Sequence, residues 1–489
     1  MAINSESLKE KTAKGLLWGG VSNGIQQLLN LAFGIFLARL LTQADYGMVG
    51  VLTVFSSIAA ALQEGGFISA LNRKKEVSHR DYNAVFWFST SCSVIIYAVL
   101  FLVAPLIARF YNEPSLTPLS RYLFLSFVIS SLNIAPRAYL FRNLKVKEST
   151  VIGISALTVS GITGVVMAAN GFAFWGIATQ TIVFVSMTTV LSYWFARWHP
   201  TLDISLNPIR EMIGFSSKLI ITNVFTIINQ NIFANLLGKF YSVSEVGNFS
   251  QASKWNQMGH NFVTSMMGSV AQPVFTKVEE DKERQLAVFR KMLRFTAFVS
   301  FPVMFGLSLV SRELIVIAIT DKWLASAHIL SVLCIWGAFV PVNYLFTNLI
   351  ISRGHSNVYM WSTIALCLTL MAAVICAYPF GFEWMLRMFV GINIAWLLVW
   401  FRFVHQEIGL EFSAMLKDLS PYLLLSAALT IGSHFLLAGV SNIYLSLLLK
   451  VIIVAVCYVA VLWLAGSVIL KESVNFVIGR LGRRRHEDN

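Results

Sequence analysis

Fourteen runs of apolar residues, each long enough to cross a bilayer, follow one another along the chain with little between them. They fall at 15–38, 46–66, 84–108, 119–140, 149–169, 172–195, 213–237, 246–271, 292–310, 329–351, 358–380, 384–403, 421–437 and 444–468. Backbone polar groups inside a membrane must bond within their own segment or close a barrel, and runs of this length are helices. The predicted fold is therefore an all-α integral membrane protein of about 14 transmembrane helices. Composition agrees: 56% of residues are hydrophobic and only 12% charged, against about a quarter charged in soluble domains. Little of the 489 residues is left over for a soluble domain.

A polar linker at 197–210, carrying Pro200 and Pro208, interrupts the series after the sixth run. The predicted domains are a six-helix bundle at 1–199, a second at 200–405, two additional helices at 406–470 and a basic cytoplasmic tail at 471–489. A weak repeat supports the pairing of bundles. With an offset of two hundred positions Asn23 falls on Asn223, Asn30 on Gln230, Leu37 on Leu237, Arg39 on Lys239, Asp45 on Glu245 and Gly47 on Gly247. Internal duplication of this length is common among transporters.

The net charge of +13 comes from Lys and Arg in short loops, not from one continuous patch, so it reads as a topology signal and not as a nucleic-acid surface. Counting those residues on alternate sides places both termini in the cytoplasm. Residues 1–14 are polar, and the run that follows is too long for a signal-peptide core, so the first helix is expected to stay. The five cysteines lie in apolar runs and read as buried apolar residues, not disulfides or metal ligands. The largest outer loop, 311–328, is too short to hold a catalytic domain.

Polar side chains at bilayer depth are costly and tend to face the protein interior or a water-filled path. Asn23, Gln27 and Asn30 share one face of the first helix by their spacing. Asn223 and Gln230 do the same on the seventh. On the eighth, Gln251, Lys254, Gln257 and Asn261 recur every three or four residues. These nine are the candidate cavity residues. Each stripe has a plainer reading, in which amides join helices by hydrogen bonds and Lys254 snorkels to the interface. Arg137, Lys218 and Lys450 read as snorkelling anchors. Glu64 is the one carboxylate assigned to the membrane interior. A polar, basic lumen suits an anionic substrate and fits poorly with export of organic cations. No HExxH pattern, Cys/His spacing or phosphate-binding loop of the GxxxxGK[ST] type occurs. His260 reads as a packing residue, and the mixed-charge run 279–294 as a solvated loop entering an interfacial helix.

Several stretches together resemble one family. LARLLTQADYGMVGVLTVF (37–55), GGFISALNRKKEVSHRDYNAVFWFS (65–89), APLIARFYNEPSL (104–116), GKFYSVSEVGNFSQASKW (238–255) and QPVFTKVEEDKER (272–284) are similar to the polysaccharide transport family. These are the Wzx-type flippases of the multidrug/oligosaccharidyl-lipid/polysaccharide exporter superfamily, and the resemblance is to the colanic and teichuronic acid exporter branch. It covers residues 10 to about 360, judged by the quoted motifs.

The resemblance implies two six-helix bundles in a V shape around a central cavity, with two C-terminal helices added. It implies a flippase, not an enzyme, moving an undecaprenyl-pyrophosphate-linked oligosaccharide from the cytoplasmic to the periplasmic leaflet of the bacterial inner membrane by alternating access. No cofactor is implied beyond coupling to a proton or sodium gradient. Implied partners are the glycan lipid, membrane lipids and the polysaccharide polymerase and export machinery. By position, not by a matched motif, Arg39, Lys239 and Arg137 are head-group candidates, and Arg39 and Lys239 read equally as interface anchors. The competing reading on the same fold is a multidrug and toxin extrusion antiporter, which would want a carboxylate in the lumen; a membrane glycosyltransferase would want acids on a large outer loop.

Overall fold

The computed structural model describes residues 8–64, 71, 77–202, 207–268 and 271–472. The cluster Arg73–Lys75 and most of the basic tail expected at 471–489 lie outside the described residues.

The described chain is helical throughout. In the first half the helices are α1 (Leu8–Leu40), α2 (Gln43–Glu64), α3 (His79–Tyr111), α4 (Leu116–Ser131), α5 (Ile134–Arg142), α6 (Val146–Ala169), α7 (Phe174–Ala196) and α8 (Asn207–Phe240). Then come α9 (Val243–Gly268), α10 (Ala271–Lys277), α11 (Lys282–Leu309), α12 (Ser311–Ile319), α13 (Leu324–Gly337) and α14 (Val340–Ser352). The last are α15 (Ser356–Ala377), α16 (Phe382–Ile408), α17 (Phe412–Leu436) and α18 (Ile443–Leu464). Each of the fourteen expected runs falls on one of these helices or on a broken pair. Ten described helices are long and apolar enough to cross a membrane, or eleven if the bent pair α4 and α5 counts as one span. The chain is a multi-pass membrane protein.

Contacts divide it into compact units Met1–Gly247 and Asn248–Asn489. In the first unit α1 rests on α6, α3 on α4, and α8 on α2 and α3. Small residues permit the closest approaches: a Cβ at Gly153 would meet the Gln26 side chain, and one at Gly161 would run into the Phe33 ring. In the second unit α11 is central, packing against α13, α17 and α18, while α16 covers α13, α14 and α15.

The two-hundred-residue repeat is visible in the turns. α1 ends at Leu40 and α8 at Phe240; α2 opens at Gln43 and α9 at Val243. Leu41 N donates to Leu37 O and Tyr241 N to Leu237 O, both at 2.8 Å. Asp45 N donates to Thr42 Oγ1, and Glu245 N to Ser242 Oγ, both at 3.3 Å. These hydroxyls cap the new helices. The two turns interlock, because a Cβ on Gly47 would overlap the Val243 carbonyl, and one on Gly247 would overlap that of Gln43. Further along, the offset slips to 210 and the likeness persists. Lys145 N donates to Leu140 O at 3.0 Å where His355 N donates to Ile350 O at 3.2 Å. The turn residue is Leu144 in one copy (φ 54°) and Gly354 in the other (φ 78°).

Four expectations need correction. Lys450 does not snorkel: it is buried and bonds to Glu313 at 2.5 Å, because the expected outer loop 311–328 begins with a helix, α12, that carries the acid inward. Glu64 has a rival as interior carboxylate: Asp418, 3% exposed, lies within α17, which starts nine residues before the expected 421 and accommodates Pro421 internally. The side chains of Glu64 and Lys218 lie outside the described residues. The run 279–294 is more than a solvated entry: Asp281 caps α11 by accepting from Arg284 N at 2.9 Å, and Arg290 holds Asp418 through two bonds of 2.7 and 3.1 Å. Cys376 is exposed, whereas Cys334 and Cys367 are buried.

Candidate functional site

The fourth apolar run is broken. α4 and α5 meet at an angle of 44°, and the residues between them, Leu132 and Asn133, leave the α-helical ladder. Ser130, Asn133 and Arg137 follow at three- and four-residue steps and line one cavity of about 640 Å³ inside the first unit. Ser56 and Ser57 from α2, Ser126 from α4, Ser149 and Gly153 from α6, and Thr188 and Ser192 from α7 complete the polar lining. A broken helix at membrane depth is tolerated where it lines a cavity.

Ser56 Oγ and Asn133 Oδ1 are buried with no hydrogen-bond partner among the described residues. Such atoms are costly to leave unmade, by roughly 1–3 kcal/mol each, unless a ligand or water meets them. Arg137 brings five donors in a planar fork, suited to a phosphate or carboxylate. None of the described lining residues is acidic. The cavity thus offers a cation, an amide and hydroxyls, the groups that hold sugars and phosphates.

In the second unit α13 and α14 are also separated by two residues, Ala338 and Phe339, but the pair runs on as one span without the sharp bend of α4 and α5. At the 210-residue offset Asn343, which lies inside α14, falls on Asn133 and also has an Oδ1 unpartnered among the described residues, but Thr347 falls on Arg137. The amide is duplicated and the cation is not.

Among the residues singled out from sequence, Asn23, Gln27 and Asn30 are exposed on α1, Asn223 and Gln230 on α8, and Gln257 and Asn261 on α9. Amides exposed along membrane helices require polar surroundings, since lipid cannot satisfy them. Lys254 is half-buried and makes no hydrogen bond or ion pair with the described residues. Gln251 is buried at 3% exposure, on the packed side of α9 with Asn256 and His260. Gln251 Nε2, Asn256 Oδ1 and His260 Nδ1 all lack partners among the described residues. Lys239 lies over the Phe110 ring at 4.3 Å and donates to Phe110 O at 3.0 Å, which fastens α8 to the end of α3. Arg39 is exposed at the end of α1, and Arg137 is exposed within the cavity just described.

Residues 36–328 match the protein family described as Polysaccharide biosynthesis protein. The chain belongs to that family. Among its relatives, the Lipopolysaccharide biosynthesis protein WzxC of Escherichia coli (strain K12) is 25% identical over 400 residues, covering 80% of this chain and 79% of that one. The Teichuronic acid biosynthesis protein TuaB of Bacillus subtilis (strain 168) is 22% identical over 436 residues, covering 87% and 89%. Among solved structures, the Lipid II flippase MurJ in an inward closed conformation aligns with a TM-score of 0.74 at 14% identity, over 95% of this chain and 99% of that one. An inward-facing multidrug resistance MATE family transporter of the MOP superfamily aligns at 0.65 and 15%, over 80% and 96%. At these identities the structural likeness shows the fold: this member of the polysaccharide biosynthesis family has the helical architecture of MurJ and the MATE transporters.

Sequence reasoning missed Ser56, Asn133 and the facing hydroxyls of α4 and α7. Serine and threonine are unremarkable in membrane helices, where they bond to their own carbonyls, as Thr189 does to Val185 O. Their convergence from four helices is visible only after folding. Pro136 and Asn133, close together in a long apolar run, were the available signal of a break.

Proposed function

We propose that this member of the polysaccharide biosynthesis family is a flippase that carries an undecaprenyl-pyrophosphate-linked oligosaccharide from the cytoplasmic to the periplasmic leaflet by alternating access. The observation that carries the reading is the Arg137 cavity: a cation set among hydroxyls and an unpartnered amide, on a helix broken at membrane depth. The pyrophosphate calls for the guanidinium, the sugars for the amide and hydroxyls, and the polyprenyl chain needs only lipid.

The family match and the fold shared with a lipid II flippase support transport of a lipid-linked glycan over catalysis. In this reading the protein sits in the bacterial inner membrane with both termini in the cytoplasm. Transport draws on a proton or sodium gradient or the membrane potential. The exposed amides Asn23, Gln27, Asn30, Asn223, Gln230, Gln257 and Asn261, together with Lys254, provide further polar contacts along the substrate path. A cation antiporter on this fold is less well supported, since the described cavity lining holds a cation and no acid.

The test is translocation of a labelled undecaprenyl-pyrophosphate glycan in vesicles containing the purified protein. Wild type is expected to expose the head group to the opposite leaflet. Failure to move any lipid-linked glycan, with the protein folded, overturns the reading.

A further inference from the structure

The second unit holds a larger polar cavity that the flippase reading does not use. It measures about 800 Å³ and lies where α11 gives way to α12, beside the start of α13, the end of α17 and the start of α18.

Three helices begin at this cavity. Arg312 and Glu313 are in the first turn of α12, Leu324 and Ala327 in that of α13, and Ser446 in that of α18. The first N–H groups of α18 are taken by the Asn442 side chain at 3.0 and 3.1 Å, so what the three N-termini bring to the cavity is the partial positive charge of their dipoles, which favours an anion.

Lys450 is neutralised by Glu313 and His328 is bonded to Glu383 at 2.8 Å. Arg312 and His434, both exposed, make no hydrogen bond or ion pair with the described residues. The side chains left to meet a ligand are the Arg312 guanidinium and the His434 imidazole, beside three helix N-termini.

A second observation specifies more than an anion. Glu313 is 6% exposed; its Oε1 is held by Lys450 and by Ser446 at 2.9 Å, while Oε2 has no partner among the described residues. Thr430 Oγ1, on the facing helix, is also without one. A buried carboxylate oxygen of this kind asks for a hydroxyl or amine donor. The wall also includes the exposed apolar side chains Ile431 and Phe435 of α17, which belong against acyl chain.

We propose that this cavity is a binding site for an anionic lipid head group in which a phosphate stands next to free hydroxyls. The phosphate meets Arg312 and His434 at the helix N-termini, a hydroxyl donates to Glu313, and the chains run down the outside of α17. Phosphatidylglycerol has this chemistry, and so does a soluble polyol phosphate; the apolar wall favours the lipid.

The experiment uses the full-length purified protein in nanodiscs of phosphatidylcholine doped with phosphatidylglycerol, with co-purifying lipid measured by mass spectrometry. Wild type is expected to retain phosphatidylglycerol over phosphatidylcholine, and R312Q/H434Q to lower that retention roughly tenfold, the equivalent of one charge-assisted bond. Both substitutions are at exposed positions, and unchanged thermal unfolding of the variant checks that the fold is intact. A third arm adds glycerol 1-phosphate. Failure to displace the lipid, with loss of retention in the variant, supports a lipid site; displacement at equimolar concentration overturns the lipid assignment. Equal retention of both lipids by wild type, or equal retention by wild type and variant, overturns the site.

Discussion

Gly47 and Gly247 stand two hundred positions apart and do the same thing: each lets its helix press against the backbone carbonyl that opens the other's helix, Val243 for Gly47 and Gln43 for Gly247. The contact is reciprocal, as two copies related by a local two-fold would make it. A backbone carbonyl cannot turn aside as a side chain can.

Gly47→Ala and Gly247→Ala are therefore expected to be destabilising to a similar degree, by at least the ~1–3 kcal/mol of ordinary overpacking. Thermal unfolding of the purified protein in detergent measures it. If either variant melts with wild type, the turns are not as closely interlocked as described.

The Glu313–Lys450 pair should be asymmetric under mutation. Lys450→Met leaves a buried carboxylate without its counter-charge, with Ser446 still donating to it, and the expected loss is ~3–5 kcal/mol. Glu313→Leu with Lys450→Met removes both charges and should recover most of that loss. Recovery is read from the unfolding midpoints; a double variant no better than the single would show that the carboxylate was not the source of the cost.

Arg137 is expected to matter for transport more than for folding. Arg137→Gln should slow head-group translocation by roughly tenfold or more, as expected for a lost charge-assisted contact, with unfolding little changed. Arg137→Lys keeps the charge but loses the planar fork and should fall between the two. Full activity in Arg137→Gln would remove the residue from the substrate path.

Two glycines separate packing from propensity. Gly161 faces the Phe33 ring, while Gly306 on α11 has open space around its Cα. Gly306→Ala is expected to stabilise by ~0.5–1 kcal/mol through helix propensity, and Gly161→Ala to destabilise by pushing α1 off α6. The two midpoints should move in opposite directions.

The helices were legible because each apolar run is of membrane-spanning length, and the repeat was legible at Asp45/Glu245 and Gly47/Gly247, where the turn chemistry constrains residue type. The second echo, at Leu144 and Gly354, was not: a left-handed turn normally signals itself by glycine, and one copy holds leucine against that preference. Glu313 and Asp418 were missed for another reason. Each sits next to charged neighbours, Arg312 and Lys417, and a local count cannot distinguish a loop from a helix end whose acid is turned inward to a partner over a hundred residues away. The Arg137 cavity was half legible. Its cation stood out, but its hydroxyls come from helices far apart in sequence.

The packing of α8 on α2 and α3 also bears on how the chain is made. Those faces of α2 and α3 enter the bilayer long before the residues that cover them have left the ribosome, since the fourth to sixth apolar runs and the proline-bearing linker are synthesised in between. The early helices must wait in the membrane with one side unclaimed. A stall or cleavage near residue 200 would leave the interlocking turn at Gly47 without its counterpart, and the amino-terminal half as a fragment for quality control to remove.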